Sequence, residues 1–282
     1  YNVVLETEHI EGIRNRQRRA TTRMQQELAQ ITSVGLYEPV PGFLRVQLAA
    51  PALAAGMKPG QFLLASTETD YVRRSLFPIA IGNGDLSVLL PANERRTHII
   101  PGGELDCIGP LGKGFPLPAG AYHLLLLAQH TGFGVSEEQH CVTFLLTLID
   151  QALAAGQSVL LVHEAPTAQE LFPPAGLPPN VEVRLKTEDG SLGQAGTALD
   201  LLPELAQWAD QVYAVGAAQW YGDLVRVLGD HRLHLREGLV WGLIAPEIMP
   251  CGLGVCDGCA VETGRRYQLA CADGPVFDLT QI

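Results

Sequence analysis

A chain of 282 residues, 47% hydrophobic and 17% charged, carries enough apolar side chains for two or three packed cores and too few charges for extended disorder. Its formal net charge of −11 argues against nonspecific binding to nucleic acid. No apolar run approaches the roughly 18 residues needed to cross a bilayer, the longest being Leu124 to Ala128, so a cytoplasmic protein without a membrane span is expected.

Residues 1–28 stand apart from the rest. Arg14, Arg16, Arg18, Arg19 and Arg23 crowd a stretch of little β character, between acidic Glu6, Glu8 and Glu11 and the helix-favouring Met24-Gln25-Gln26-Glu27-Leu28. This reads as a solvated helical arm. A docking arm for an acidic partner is one alternative, and a targeting remnant is another that the glutamates oppose.

From 29 to 118 the pattern is all-β, with short runs at 31–36, 43–48, 61–65 and 86–90 separated by Pro and Gly turns. Strands of this length and spacing predict a small barrel. Between 119 and 238, apolar strand runs at 122–127, 158–162, 181–185 and 212–215 accompany a helical pattern over 144–155. Alternating β and α elements predict a parallel sheet. A glycine- and cysteine-rich tail occupies 239–282.

In that tail Cys251, Cys256, Cys259 and Cys271 follow the order C-x4-C-x2-C-x11-C. This is the plant-type spacing for a [2Fe–2S] cluster, whose two irons need four thiolates. Gly252, Gly254 and Gly258 let the backbone curl round the inorganic core and turn N–H groups toward the sulfurs. A structural zinc site, normally built from two C-x2-4-C knuckles, and disulfides are the alternatives. Cys107 and Cys141, far away in sequence, read as buried small hydrophobes.

Several segments are more specific than the pattern alone: Lys58-Pro59-Gly60-Gln61-Phe62, Gly109-Pro110-Leu111-Gly112-Lys113-Gly114-Phe115, Thr187-Glu188-Asp189-Gly190-Ser191-Leu192-Gly193, and Cys271-Ala272-Asp273-Gly274-Pro275-Val276-Phe277-Asp278. With the order barrel, α/β domain, iron–sulfur tail, residues 29–282 resemble the electron-transfer subunit of the two-component dihydroorotate dehydrogenases, a branch of the ferredoxin-reductase superfamily. The resemblance implies an FAD-type barrel, a nucleotide-binding-like α/β domain that receives NADH, and a small [2Fe–2S] domain. It also implies a hetero-oligomer, in which the cluster passes electrons to an FMN-containing catalytic subunit that interconverts dihydroorotate and orotate.

Departures from the family pattern are equally informative. In Arg73-Arg74-Ser75-Leu76-Phe77-Pro78, Arg74 and Ser75 fit the flavin diphosphate, because a guanidinium pairs its N–H groups with phosphate oxygens. Phe77 stands where the family has a hydroxyl facing the isoalloxazine. The family's Gly-x-Gly-Thr turn becomes Glu94-Arg95-Arg96-Thr97, which keeps Thr97 and loses both glycines, with Arg95 and Arg96 placed to offset the charge of Glu94. The glycine-rich dinucleotide loop becomes Ala128-Gln129-His130-Thr131-Gly132, with only Gly132 kept, followed by extra length over Ser136-Glu137-Glu138-Gln139-His140. His163-Glu164-Ala165 lacks an expected Arg, and Val215-Gly216-Ala217 replaces Cys-Gly-Pro. These losses share one site and argue against NAD(H) binding. His130 and His140 read as isolated loop histidines, and Glu188, Asp189 and Ser191 as parts of a structural turn.

No competing catalytic constellation is present, since Gly112-Lys113-Gly114 lies in a Pro-rich loop without a P-loop helix and no G-x-S-x-G occurs. The expected function is an electron-transfer subunit carrying FAD and a [2Fe–2S] cluster for a partner redox enzyme. The alternative is a relay or architectural subunit of a larger redox complex that has lost NAD(P)H binding. A scaffold without cofactors would leave four well-spaced cysteines idle.

Overall fold

The computed structural model describes residues 24–67, 70–92, 99–130, 140–232, 235–246, 249–264 and 266–282. Seven strands, β1 (Gln25–Leu36), β2 (Phe43–Ala49), β3 (Phe62–Ser66), β4 (Arg74–Leu76), β5 (Pro78–Ile81), β6 (Asp85–Pro91) and β7 (Glu104–Leu111), pair antiparallel in the order β4-β3-β7-β1-β2-β6-β5. The sheet curls into a nearly closed barrel. Alternation decides which side chains point inward: Leu105 and Cys107 of β7, Ile31 of β1, Val46 and Leu48 of β2 and Leu86 and Val88 of β6 share one core. A short helix, α1 (Pro51–Gly56), adds Leu53 and Ala54 to it, and its Leu53 N–H donates to the Glu27 carboxylate at 3.0 Å.

The segment Gln25 to Leu28 is strand, contrary to the helical reading. It extends β1 against β7, pairing Gln25 with Gly109 and Leu28 with Asp106. A ladder of backbone hydrogen bonds to a waiting strand outweighs the few tenths of a kcal/mol of helix propensity, about 0.7 at most per residue, that these side chains supply. The five arginines of the arm lie outside the described residues.

The second sheet begins with β8 (His123–Gln129), β9 (Ser158–Ala165), β10 (Glu182–Thr187), β11 (Gln194–Ala195), β12 (Gln211–Val215) and β13 (Val240–Leu243), all parallel. The chain then makes the cysteine-rich loop and a hairpin of β14 (Ala260–Thr263) and β15 (Arg266–Leu269), and returns as β16 (Val276–Asp278), antiparallel to β13. The order is β11-β10-β9-β8-β12-β13-β16. Two strands beyond residue 239 thus belong to the α/β sheet, and the cysteine loop is an excursion between them. The run Leu124 to Leu127 is apolar throughout because both faces are covered. Leu124 and Leu126 pack toward α2 (Leu146–Ala154), whereas Leu125 and Leu127 pack toward α3 (Leu202–Leu205) and α4 (Ala218–His231).

Barrel, sheet and tail meet in one apolar core that joins Phe62, Leu64 and Phe115 to Phe144 and Tyr213 and to Met249, Cys259 and Cys271. The motif Gly109 to Phe115 forms the joint. Lys113 N–H donates to Gly274 O at 2.5 Å, Phe115 N–H to Pro59 O at 2.8 Å, and Ile244 N–H to Pro275 O at 2.8 Å. The Phe115 ring meets Tyr213 edge-on at 5.6 Å, and the Tyr213 hydroxyl donates to Pro116 O at 2.7 Å. Gly112 turns the chain here with φ +72°, and a Cβ on it would sit 2.5 Å from Pro275 Cδ and 2.7 Å from Gly274 O.

Three histidines pin the loops at one end of the parallel sheet. His163, 1% exposed, donates from Nδ1 to Ala128 O at 3.0 Å and accepts the Phe172 N–H on Nε2 at 2.9 Å. His140 donates from Nε2 to Glu170 O at 3.0 Å and accepts the Val142 N–H on Nδ1 at 3.3 Å, capping the 3-10 turn Cys141–Phe144. Each tautomer is assigned from its backbone partners. His130 stacks on His140 with ring centroids 4.5 Å apart, and His140 meets His163 edge-on at 5.1 Å. The two loop histidines are therefore members of a cluster, not isolated groups. Burial first, and the neighbouring imidazoles second, hold His140 down at about 4 and His163 down at about 3.

Two expected outcomes follow from this architecture. Gly112→Ala lowers the thermal midpoint by ~5 °C or more, since about 2 kcal/mol of backbone strain adds to a clash at the joint. An unchanged melting curve would remove the joint from the structure's essential contacts. For the histidines, the unfolded imidazoles titrate near ~6.5 while the folded ones stay neutral, so their contribution is complete above that pH and is lost as pH falls toward about 4. Each costs about 2 kcal/mol of stability between about pH 7 and pH 5. Unfolding followed over that range should show a shallower slope for His163→Gln than for the parent protein.

Candidate functional site

The cysteine loop leaves β13 beside the barrel and places four sulfurs around one volume. Cys259 and Cys271 are buried, Cys251 is half-buried and Cys256 is exposed. They come as two pairs, with the Cys251 and Cys256 sulfurs 3.3 Å apart and the Cys271 thiol hydrogen-bonded to Cys259. Backbone donors point inward: Leu253 N–H to Cys251 Sγ at 3.4 Å, Gly254 N–H to Cys271 Sγ at 3.2 Å, and Cys271 N–H to Cys259 Sγ at 3.4 Å. Gly252 makes the inward turn at φ +63°, and its missing Cβ would lie 2.8 Å from Leu111 Cδ1 and 2.9 Å from Leu64 Cδ1. The loop therefore lies directly on the barrel wall. Ala270 N–H donates to Cys259 O at 3.0 Å and the Asp273 carboxylate accepts the Leu269 N–H at 3.0 Å, which fixes the turn carrying Cys271.

The electrostatics favour thiolate at Cys259 and Cys251. The Cys271 thiol donates to Cys259 and, with the Cys271 and Ala270 amides, outweighs burial to bring Cys259 down to about 6. At Cys251 burial acts upward, but amide donors from Val255 and Leu253 and the Cys256 thiol bring it down to about 7. Cys271, which holds the shared proton, is driven upward by Cys259. A single tetrahedral zinc, with bonds of about 2.3 Å, would draw all four sulfurs to within about 3.8 Å of one another. Among the described residues the compact three-ligand group, with donor atoms within 4.8 Å of one another, is His130, His140 and Cys141 and includes none of these cysteines. Two separate sulfur pairs under inward N–H groups suit two irons bridged by sulfide. At the group of His130, His140 and Cys141 the parallel stack of His130 on His140 aims the in-plane lone pairs along separate planes, and both nitrogens of His140 are engaged.

On the barrel, Arg74 is exposed and Ser75 half-buried on the edge strand β4. Arg73 is committed inward, donating to Asp106 O at 2.6 Å and pairing with the Asp106 carboxylate, which it holds below the usual carboxylate range. Phe77 is buried, its ring 5.5 Å from Phe62 and edge-on to Phe144 at 5.0 Å. From Leu76 to Ile81 the chain carries no hydroxyl. Of the residues expected at a flavin, Arg74 and Ser75 thus share the edge strand, while the side chain at Phe77 offers no hydrogen bond. Arg95, Arg96, Thr97 and Gly132 lie outside the described residues.

Two polar residues escaped sequence reasoning. Gln129, at the end of β8, accepts the Ala217 N–H on Oε1 at 3.2 Å, and its amide bonds the Glu164 carboxylate at the end of β9. Glu164 in turn accepts the Ala198 N–H. Burial pushes the Glu164 carboxyl up, against those two donors. As isolated letters they resemble ordinary strand-end polar residues, and only the sheet order brings them together. The Thr187 to Gly193 segment is the tight turn expected, closed by the Thr187 hydroxyl on Leu192 O at 2.8 Å and by Asp189 on the Ser191 N–H at 2.9 Å.

Residues 246–282 match the family model for the iron–sulfur cluster binding domain of dihydroorotate dehydrogenase B. The electron transfer subunit of dihydroorotate dehydrogenase B (NAD(+)) from Geobacillus thermodenitrificans is 30% identical over 250 residues, spanning 83% of this chain and 90% of that protein. Its counterpart from Bacillus caldolyticus is 29% identical over 240 residues, spanning 80% and 86%. Among solved structures, the NADH-dependent reduced ferredoxin-NADP oxidoreductase superposes with a TM-score of 0.66 at 20% identity over 90% of this chain and 89% of that one. The Amycolatopsis cytochrome P450 reductase GcoB superposes with a TM-score of 0.58 at 16% identity over 80% and 71%. These structures share the fold of barrel and α/β sheet, and the sequence identity, carried across most of the relative's length, is decisive for kinship: the chain belongs to the family of dihydroorotate dehydrogenase B electron transfer subunits.

Proposed function

We propose that this chain is the flavin and iron–sulfur electron-transfer subunit of a two-component redox enzyme, with a catalytic dihydroorotate dehydrogenase subunit as partner. The observation that carries this reading is the arrangement of Cys251, Cys256, Cys259 and Cys271 as two sulfur pairs under inward-pointing amides. When bound, FAD and a [2Fe–2S] cluster supply the electron storage and one-electron exchange that side chains lack. The chain's own contribution is placement and tuning. Four thiolates hold the metal, N–H donors from Leu253, Gly254 and Cys271 favour the reduced form by stabilising negative charge on sulfur, and Leu64 and Leu111 shield the barrel side. Arg74 and Ser75, with Arg95, Arg96 and Thr97, take the flavin diphosphate.

The partner surface lies at the exposed run Val255, Cys256, Asp257 and Gly258. Electron transfer needs close approach to the metal, and Cys256 is the ligand that reaches solvent. None of the described helices is long and apolar enough to cross a membrane. A cytoplasmic location accords with six cysteines that form no disulfide among the described residues.

Cofactor content of anaerobically purified protein tests this reading, with about two irons, two sulfides and one FAD expected per chain. Cys256→Ser should lose most of the iron and sulfide, because a hydroxyl is a poor ligand for a soft iron–sulfide centre. Iron and sulfide retained in full by that variant would sink the ligand assignment.

A further inference from the structure

We infer that the dinucleotide crevice of the α/β sheet is closed by this chain's own side chains, so that the subunit exchanges electrons with other redox proteins and not with NADH or NADPH. The inference deepens the electron-transfer reading above and rests on it. In open α/β sheets a ligand binds outside the carboxyl ends of the strands, where the strand order reverses. Here the order runs from β8 through β9 to β10 on one side and from β12 to β13 on the other, so the reversal falls between β8 and β12. Gln129 ends β8 at that point and bridges it, reaching Ala217 at the start of α4 on one side and Glu164 of β9 on the other.

A dinucleotide diphosphate is held by free backbone N–H groups at helix N-termini beside the crevice. Among the described residues three such donors stand here, and each is already satisfied from within. Val142, the second residue of the 3-10 turn after β8, donates to His140 Nδ1. Ala198, opening the turn that leads into α3, donates to the Glu164 carboxylate, and Ala217 donates to Gln129 Oε1. The next amide, Gly216 N–H, goes to the Tyr221 hydroxyl at 3.1 Å. For a diphosphate to bind, these acceptors would have to be displaced, and the Glu164 carboxyl would stand among its oxygens.

Space is filled as well as hydrogen-bonding capacity. The stack of His130 on His140, with His163 beneath, lies at the ends of β8 and β9, where close approach of a ligand requires bare backbone. Around Gly216 a Cβ would lie 2.9 Å from both Gln129 Cβ and Trp220 Cε3, so the turn after β12 is already packed against Gln129 and the α4 indole. His140 and His163 bring no compensating charge, because their backbone partners fix both as neutral tautomers. Electrons must then arrive one at a time from the reduced centre of another protein and leave the same way, with no hydride and no bond made or broken in this chain.

The test is an anaerobic titration of the full, cofactor-loaded chain with NADH and with NADPH up to about 1 mM, the upper end of ordinary KM values. Binding is read by calorimetry and by the fluorescence of the protein, and reduction by the cluster's EPR signal, with dithionite as the one-electron reductant for comparison. The expected result is no saturable binding heat, no fluorescence change and no reduction by either nucleotide, and full reduction by dithionite. Saturable binding of NADH or NADPH, or reduction of the cluster by either, overturns the inference. Calorimetric binding needs neither metal nor flavin, so a preparation lacking iron would sink the electron-transfer reading while leaving the crevice result to be judged by itself.

Discussion

The contact on which the rest of the molecule depends is the joint where Gly112 and Lys113 of the barrel meet Gly274 and Pro275 of the tail. A backbone hydrogen bond, a left-handed glycine and the ring of Pro275 leave no room for adjustment there. Cys271 lies three residues upstream of Gly274 in the same turn, and β16 follows Pro275 into the α/β sheet. One joint therefore fixes the barrel against the sheet and the cysteine loop against both. Centre-to-centre electron transfer is sensitive to distance, so a rigid joint is the structural requirement for a relay.

The cluster loop and the crevice show opposite uses of backbone N–H groups. In the loop, glycines at left-handed φ turn amides toward the cysteine sulfurs that a metal centre would use. In the crevice, Gln129, His140 and Glu164 reach back to the amides that a ligand would use. A buried polar group must be paired, either by a ligand or by the chain itself. The same economy of hydrogen bonds that prepares one site for a cofactor closes the other.

Burial reinforces both arrangements. His140 and His163 are held neutral in an apolar setting, and each neutral ring can both donate and accept, which a protonated ring cannot. Phe77 likewise trades a hydrogen-bonding position for an aromatic contact between barrel and α/β domain, through Phe62 and Phe144. The contact between the two domains is consequently more apolar at this position.

Much of this protein is legible in its letters. Period-two runs such as Phe43 to Leu48 and the doubly buried run Leu124 to Leu127 announce their strands, because side-chain alternation and burial are local properties of the chain. The spacing of Cys251, Cys256, Cys259 and Cys271 announces a metal centre, because the reach of a loop around two irons is set by a few intervening residues. What tertiary structure alone decided involves partners distant in sequence. Gln25 to Leu28 became strand because β7 offered it a ladder, and β7 itself, Glu104 to Leu111, lies outside the strand runs read from the sequence. The return of β16 beside β13, the division of the four sulfurs into pairs, and the meeting of Gln129 with Glu164 and of His130 with His140 and His163 follow from sheet order. Hydrogen bonds and ring contacts between residues tens of positions apart leave no periodic trace in a sequence, which is why the cluster was readable there and the closed crevice was not.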